Sequence, residues 1–295
     1  MAIDFQIQRN GRIYSATAGS GSGFFVGIQT QYTDKTTGET FSGLYNVPTK
    51  QLPPLLYTAD PYRSSQDFWA DFIEPTALCE GQNFLTLNTY DRARFTWGFG
   101  QFGAHVANGD FVSFFRNLLN RPEKDSYFPD LSVVNGHISK IQNGSEVQLE
   151  NNTSTQALLD YLNPSSANID DAEVFAAAKL IHWTTNFDDA RQMQVAQMVQ
   201  TFQQHMSEAD RRLGLDGKSA DICCVICDIR HQGRGKYPAM QAALNSASPL
   251  SQLLQIGGIS YPDRVKTLKK AIAARSELFT ERKWSRAGGA FVAAN

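Results

Sequence analysis

The stretch CEGQNFLTLNTYDRARFTWGFGQFGAH, residues 79–105, decides how this chain is read. Glu80 stands at the end of a helical pattern, and the residues after it are rich in aromatics and glycine. Upstream, in SSQDFWADFIEPTALCEG, Phe68, Trp69, Phe72, Ile73 and Ala77 recur on one helical face. Ser64 or Ser65 is placed to cap that helix, Pro75 to kink it and Gly81 to stop it. Downstream, NFLTLNTYDRARFTWGFGQF reads as a hairpin or irregular β-region, with Phe84, Leu87, Tyr90, Phe95, Trp97 and Phe99 as apolar faces around polar groups. Gly98 and Gly100 let the backbone pass close to a ligand.

Working outward, residues 1 to about 50 alternate in the manner of strands, with NG and TTGE as turn signals, and predict a β-hairpin or small meander. Pro53, Pro54 and Pro61 break that pattern, and from Ser64 onward the periodicity is mainly helical. The expected division is therefore a β-rich N-terminal appendage, 1–55, and a helical region, 56–295. In GAHVANGDFVSFFRNLLNR, Asn108 and Asp110 can cap a helix whose Phe111, Phe114, Phe115 and Leu118 turn inward. DDAEVFAAAKLIHWTTNF is a helix with Asp170 or Asp171 as cap and Val174, Ala178 and Ile181 in its core stripe. The next carries Met193, Val195, Met198, Val199, Phe202 and Met206 on its apolar side, where thioethers fill irregular gaps. DICCVICDI, residues 221–229, is a buried element of either kind, followed by a basic loop, HQGRGKY, and a final helical region.

Composition narrows the function classes. With Lys+Arg 27 against Asp+Glu 29, the net charge is −2, which carries no nucleic-acid footprint. No run of about 18 apolar residues occurs, so membrane insertion is not expected. The start, MAIDFQIQRNGRIYSA, lacks the basic and apolar regions of a signal peptide, so synthesis in the cytoplasm is expected. Cys79, Cys223, Cys224 and Cys227 are too unevenly placed for a disulfide framework.

The chemistry suggested by residues 79–105 is glycosidic bond cleavage, which needs one acid for the leaving oxygen and a second group to activate water. A helix-terminal glutamate among aromatics suits the first role, because an apolar setting keeps a carboxyl protonated. The plainer reading makes Glu80 a solvated residue at a helix end. Asp91 is either the second carboxylate or a turn residue paired with Arg92 or Arg94. Tyr90 and Trp97 offer rings to stack on a pyranose, whereas Trp183 reads as core and His105 as a structural hydrogen-bonding residue. In DIRHQGRGKY, Arg230, His231, Gln232, Arg234 and Lys236 either border a glycan cleft or form a solvated turn. Cys224 and Cys227 have the spacing of a zinc or redox pair, but isoleucines flank them as they would small buried hydrophobes. No metal and no cofactor is expected.

Over residues 79–105 alone, the sequence resembles the lysozyme-like superfamily, in particular goose-type lysozymes, soluble lytic transglycosylases and, more distantly, chitosanases. The resemblance implies a mainly α, two-lobed helical domain (α+β) with a small β-hairpin region, and a muramidase-like activity on the glycan strand of peptidoglycan. Glu80 matches the acidic glutamate; Gly98 and Gln101 match the glycine and glutamine of the turn. Asp91 falls where hydrolysing members often place a second carboxylate, and Thr96 corresponds to a water-positioning residue. Tyr90, Trp97, Gln101, His231, Gln232 and Arg234 would line the groove. GFGQF departs from the transglycosylase pattern, which favours hydrolysis over lytic cyclisation. Cleavage of chitosan, and a non-catalytic glycan-binding or structural role on the same scaffold, remain open. An enzyme of this kind without a signal peptide would reach the wall by phage lysis or a secretion apparatus, with that apparatus or an immunity protein as partner.

Overall fold

The computed structural model describes residues 1–46 and 51–294. In chain order its first half runs Phe5–Asn10 (β1), Ile13–Ala18 (β2), Phe24–Thr33 (β3), Thr40–Tyr45 (β4), Arg63–Gln66 (α1), Phe68–Cys79 (α2), Leu87–Asn88 (β5), Thr96–Trp97 (β6), Phe102–Gly103 (β7), Asp110–Leu119 (α3), Lys124–Tyr127 (α4), Leu131–Val134 (β8), His137–Gln142 (β9) and Ser145–Gln148 (β10). Then come Gln156–Leu162 (α5), Asp171–Asn186 (α6), Asp188–Leu213 (α7), Ala220–Gln232 (α8), Tyr237–Leu244 (α9), Pro249–Gln255 (α10), Pro262–Ala273 (α11), Ser276–Thr280 (α12), Arg282–Ser285 (β11) and Ala290–Ala293 (β12). None of the helices is long and apolar enough to cross a membrane, among the described residues.

Two compact units share this chain. The first comprises Met1–Leu56 and Asn83–Gln197, the second Tyr57–Gln82 and Met198–Asn295. The N-terminal segment expected at 1–55 thus leaves the first unit at Leu56, but the chain returns to that unit at Asn83. Residues 47–50 of the segment lie outside the described residues.

The expectation of a mainly helical fold with a β appendage is overturned. Strand makes up 20% and helix 44%, and the chain is α+β with a seven-stranded antiparallel sheet in sequential order β1 to β7. The reason lies where the N-terminal meander ends. Tyr45 of β4 pairs with Asn88 of β5, and the buried Asn46 amide locks the join by donating to Leu85 O (2.7 Å) and accepting from Leu87 N–H (2.8 Å). The meander therefore continues into the segment after Glu80 instead of standing apart. That segment contributes only two-residue strands, with Leu87 opposite Trp97 and Trp97 opposite Phe102.

The first unit's core is aromatic. Phe95 packs on Phe111 (5.6 Å between ring centres), Phe111 on Phe115 (5.4 Å) and Phe84 on Phe99 (5.0 Å), as the inward stripe of α3 requires. The cap of α3 differs from expectation, since Gly109 is the N-cap and no side chain bonds there. Asp170 does cap α6, accepting from Ala172 N–H at 2.8 Å. From α6, Glu173 reaches the sheet fully buried, accepting from Leu44 N–H (3.2 Å) and from the Thr89 hydroxyl, while its Oε2 has no partner. Burial raises its carboxyl to about 7, against the lowering effect of those hydrogen bonds. Gly98 sits at φ +81, where a β-carbon would collide with Gln194 Oε1. The Gln194 amide ties the turn down, accepting from Phe99 N–H and donating to Phe84 O, each at 3.2 Å.

In the second unit, Phe72 of α2 gathers Phe202, Phe279 and Phe291, with Phe291 at 4.6 Å. Helix α2 starts at Phe68, not at the serines. Ser64 and Ser65 belong to α1, and Asp67 breaks the two helices at φ 47. Pro75 lies inside α2, as expected. The ambiguous cysteine segment is helix: Cys223, Cys224 and Cys227 are fully buried in α8. His231 and Gln232 form the last turn of that helix, so the basic loop begins only at Gly233, the left-handed cap at φ 68.

Candidate active site around Glu80

Glu80 is the C-cap of α2, and the chain turns away through Gly81 (φ 90) and Gln82 (φ 61), whose N–H bonds back to Ala77 O at 2.9 Å. Its carboxylate does not stand free. Arg264, in the first turn of α11, donates from Nη1 to Glu80 Oε1 at 2.5 Å, with both side chains 9% exposed. His231 Nε2 lies 3.6 Å from the same oxygen. Glu80 Oε2 makes no hydrogen bond to any described residue, so one oxygen is gripped and the other is available.

Behind Arg264 stands Asp228, on α8, with no exposed side-chain surface. It accepts from Arg264 Nη2 (2.7 Å), Arg234 Nη2 (3.0 Å) and the Thr76 hydroxyl (3.1 Å). The row is thus Arg234, Asp228, Arg264, Glu80, alternating in charge and contained within the second unit. Taking such groups out of water is costly, and only mutual pairing with good hydrogen bonds offsets that cost. Burial works to raise the Asp228 carboxyl, but Arg264 and then Arg234 outweigh it and hold it below the usual aspartate value. Burial likewise opposes the charge on Arg264, yet Glu80 and Asp228 hold its pKa above the ordinary one. Arg234 is seated by its bond to Ile256 O and by Gly257, where a β-carbon would come within 2.9 Å of Arg234 Cβ.

Of the residues singled out from sequence, Glu80, His231, Gln232 and Arg234 belong to this unit. Arg234 is fully buried against Asp228, not displayed on a loop for glycan hydroxyls. Tyr90, Asp91, Thr96, Trp97 and Gln101 belong to the first unit. Asp91 shapes a turn, accepting from Ala93 N–H and the Asn88 amide, both at 2.9 Å. It also lines a surface pocket of about 420 Å³ with Tyr32, Asp34, Tyr90, Arg92, Ala93 and His105. Tyr90 packs edge-on against Tyr45 at 5.6 Å. Trp97 is fully buried and Thr96 6% exposed, so the Trp97 ring faces the interior and offers no surface to a sugar. Gln101 is exposed at φ 50.

Asp228, Arg264 and Thr76 are the members the sequence did not single out for this site. A lone acid inside CCVICDI, where every neighbour is buried, was the available signal for Asp228. Arg264 gave none, because PDRVKTLKK reads as a solvated helix face. Comparison with protein-family models, curated proteins and solved structures finds no match to this chain.

Proposed function

We propose that the chain is a glycoside hydrolase of muramidase type, acting on the glycan strand of peptidoglycan with Glu80 as general acid. The observation that supports this reading is the division of labour at Glu80: Oε1 is tied through Arg264 to buried Asp228, while Oε2 has no hydrogen-bond partner among the described residues. A carboxyl held that way presents one oxygen in a set direction, the orientation that proton transfer to a leaving oxygen needs, while the guanidinium itself favours the anion. Asp91, Thr96 and Tyr90 belong to the other unit, so the proposal rests on Glu80 and the residues of its own unit. No cofactor enters this reading.

The same ion pair favours a second reading. A carboxylate engaged by a guanidinium is an acceptor, and a scaffold that keeps Glu80 only for structure, binding glycan without cutting it, would show the same contact.

Digestion of purified peptidoglycan and of chitosan, followed by mass spectrometry of the products, separates these. The first reading expects reducing-end muropeptides from the wild type and a loss of roughly 10²–10⁴ in rate for Glu80→Gln. Anhydro ends would indicate lytic cyclisation, and preference for chitosan a chitosanase. Wall cleavage by Glu80→Gln at the wild-type rate sinks the acid assignment; a wild type that binds these glycans and releases nothing supports the second reading.

A further inference from the structure

We infer that His231 is a positioning residue for Glu80, standing against the carboxylate oxygen that Arg264 also engages, and not a glycan contact on a surface loop. Helix α8 carries His231 in its last turn, and its side chain is 12% exposed, against 9% for Glu80. Its ring is set by neighbours on α7: Phe202 at 5.7 Å and His205 at 6.5 Å between ring centres. With the ring so placed, Nε2 points at Glu80 Oε1 from 3.6 Å. Arg264 takes that same oxygen at 2.5 Å. Oε1 therefore has the guanidinium within hydrogen-bond distance and the imidazole just beyond it, and a turn of the carboxylate that exchanged its oxygens would give up both contacts.

The groups facing His231 are few enough to assign the contact. His205 is pushed down to about 4, first by burial and then by Arg230 and His231 itself, so it is neutral at pH 7 and no rival cation for Glu80. Glu208 is taken by Arg230 at 2.5 Å. Asp228 is occupied by Arg234 and Arg264. Glu80 is left as the carboxylate that faces His231 Nε2, at 3.6 Å. The kinetic consequence rests on the hydrolase reading above, but the pairing itself does not.

Two measurements test it. Histidine labelled with ¹⁵N gives long-range proton–nitrogen spectra of the imidazole, recorded for the wild type and for Glu80→Gln. The pairing expects the His231 Nε2 resonance to move when the carboxylate becomes an amide; an unmoved resonance overturns the inference. In the second, His231→Phe keeps the ring volume and removes the donor, whereas His231→Gln restores a donor near the Nε2 position. On peptidoglycan, His231→Phe is expected to lower kcat about tenfold with KM within about twofold, and His231→Gln to recover most of it. A change confined to KM, or equal losses in both variants, overturns the positioning role. A moved resonance together with full activity in Glu80→Gln leaves the pairing standing and removes the hydrolase reading. An unmoved resonance with activity lost in Glu80→Gln does the reverse.

Discussion

Replacing Asp228 by Asn removes one negative charge from the most buried part of the site and changes almost no volume. Arg264 keeps Glu80, but Arg234, with no exposed side-chain surface, loses its counter-charge and keeps only neutral acceptors, the Asn amide oxygen and the carbonyl of Ile256. Breaking a buried ion pair from one side costs about 3–5 kcal/mol, because the remaining charge stays desolvated without compensation. At about 2–4 °C per kcal/mol for a chain of this size class, the midpoint of thermal unfolding should fall by roughly 10 °C at pH 7. The pH dependence has a definite sign. Asp228 is depressed in the folded state, so its contribution is fully present above the unfolded aspartate value of about 3.9 and is lost as pH falls through the lower folded value. The gap between wild type and variant should therefore close only in strong acid. Urea unfolding of both proteins at pH 7 and at the lowest pH where the wild type still folds gives the comparison. A loss under about 1 kcal/mol at pH 7 would refute the claim that Asp228 anchors the row.

Other expectations follow from single residues. Glu173 has a folded value of about 7, above the unfolded glutamate value of about 4.3, so the native state holds the extra proton and its stabilising effect fades as pH rises from 4 to 7. Glu173→Gln should flatten that decline, worth a few kcal/mol by chemical denaturation; an equally steep decline in the variant argues against it. Gly98→Ala should cost about 2 kcal/mol or more, because the φ of +81 and the Gln194 amide both exclude a β-carbon; unchanged urea midpoints count against the turn described here. In thiol titration of the native protein, Cys223, Cys224 and Cys227 should be silent and Cys79 slow, since burial pushes the Cys79 thiol up to about 12. Four fast-reacting thiols without denaturant would contradict the packing of α8.

How far the sequence could be read depends on how local the causes are. Strands β1 to β4 alternate and end in turn residues, so their existence is written in the chain itself. Their continuation is not. Strands β5 to β7 are too short for any period, and the join is made by Asn46, whose amide bonds to residues about 40 positions away. The sheet of β8 to β10 announces itself in two Asn-Gly pairs, Asn135–Gly136 and Asn143–Gly144, with positive φ at all four positions. Its strands, though, are half exposed and lack a clean apolar face. At the site, Glu80 stood out as an acid at a helix end, but what decides its behaviour, Arg264, lies 184 residues on and looks like any solvated arginine. Trp97 shows the opposite failure: an aromatic next to glycines suggests a ligand surface, while the ring serves the core.

The interrupted path of the chain has a consequence for the order of events during synthesis. Residues 57–82, with Glu80 at their end, belong to a unit whose remainder begins only at Met198. At roughly 5–20 residues per second, Arg264 leaves the ribosome on the order of 10–40 s after Glu80. Until α7 and α8 are made, α2 lacks the helices that cover its apolar face, and until α11 follows, its glutamate lacks the Arg264 guanidinium. The first unit has by then received all of its residues, up to Gln197. The acid is thus among the earlier side chains to be made and among the last to be set in place, and a nascent chain stalled before α11 would carry Glu80 without the guanidinium that grips it.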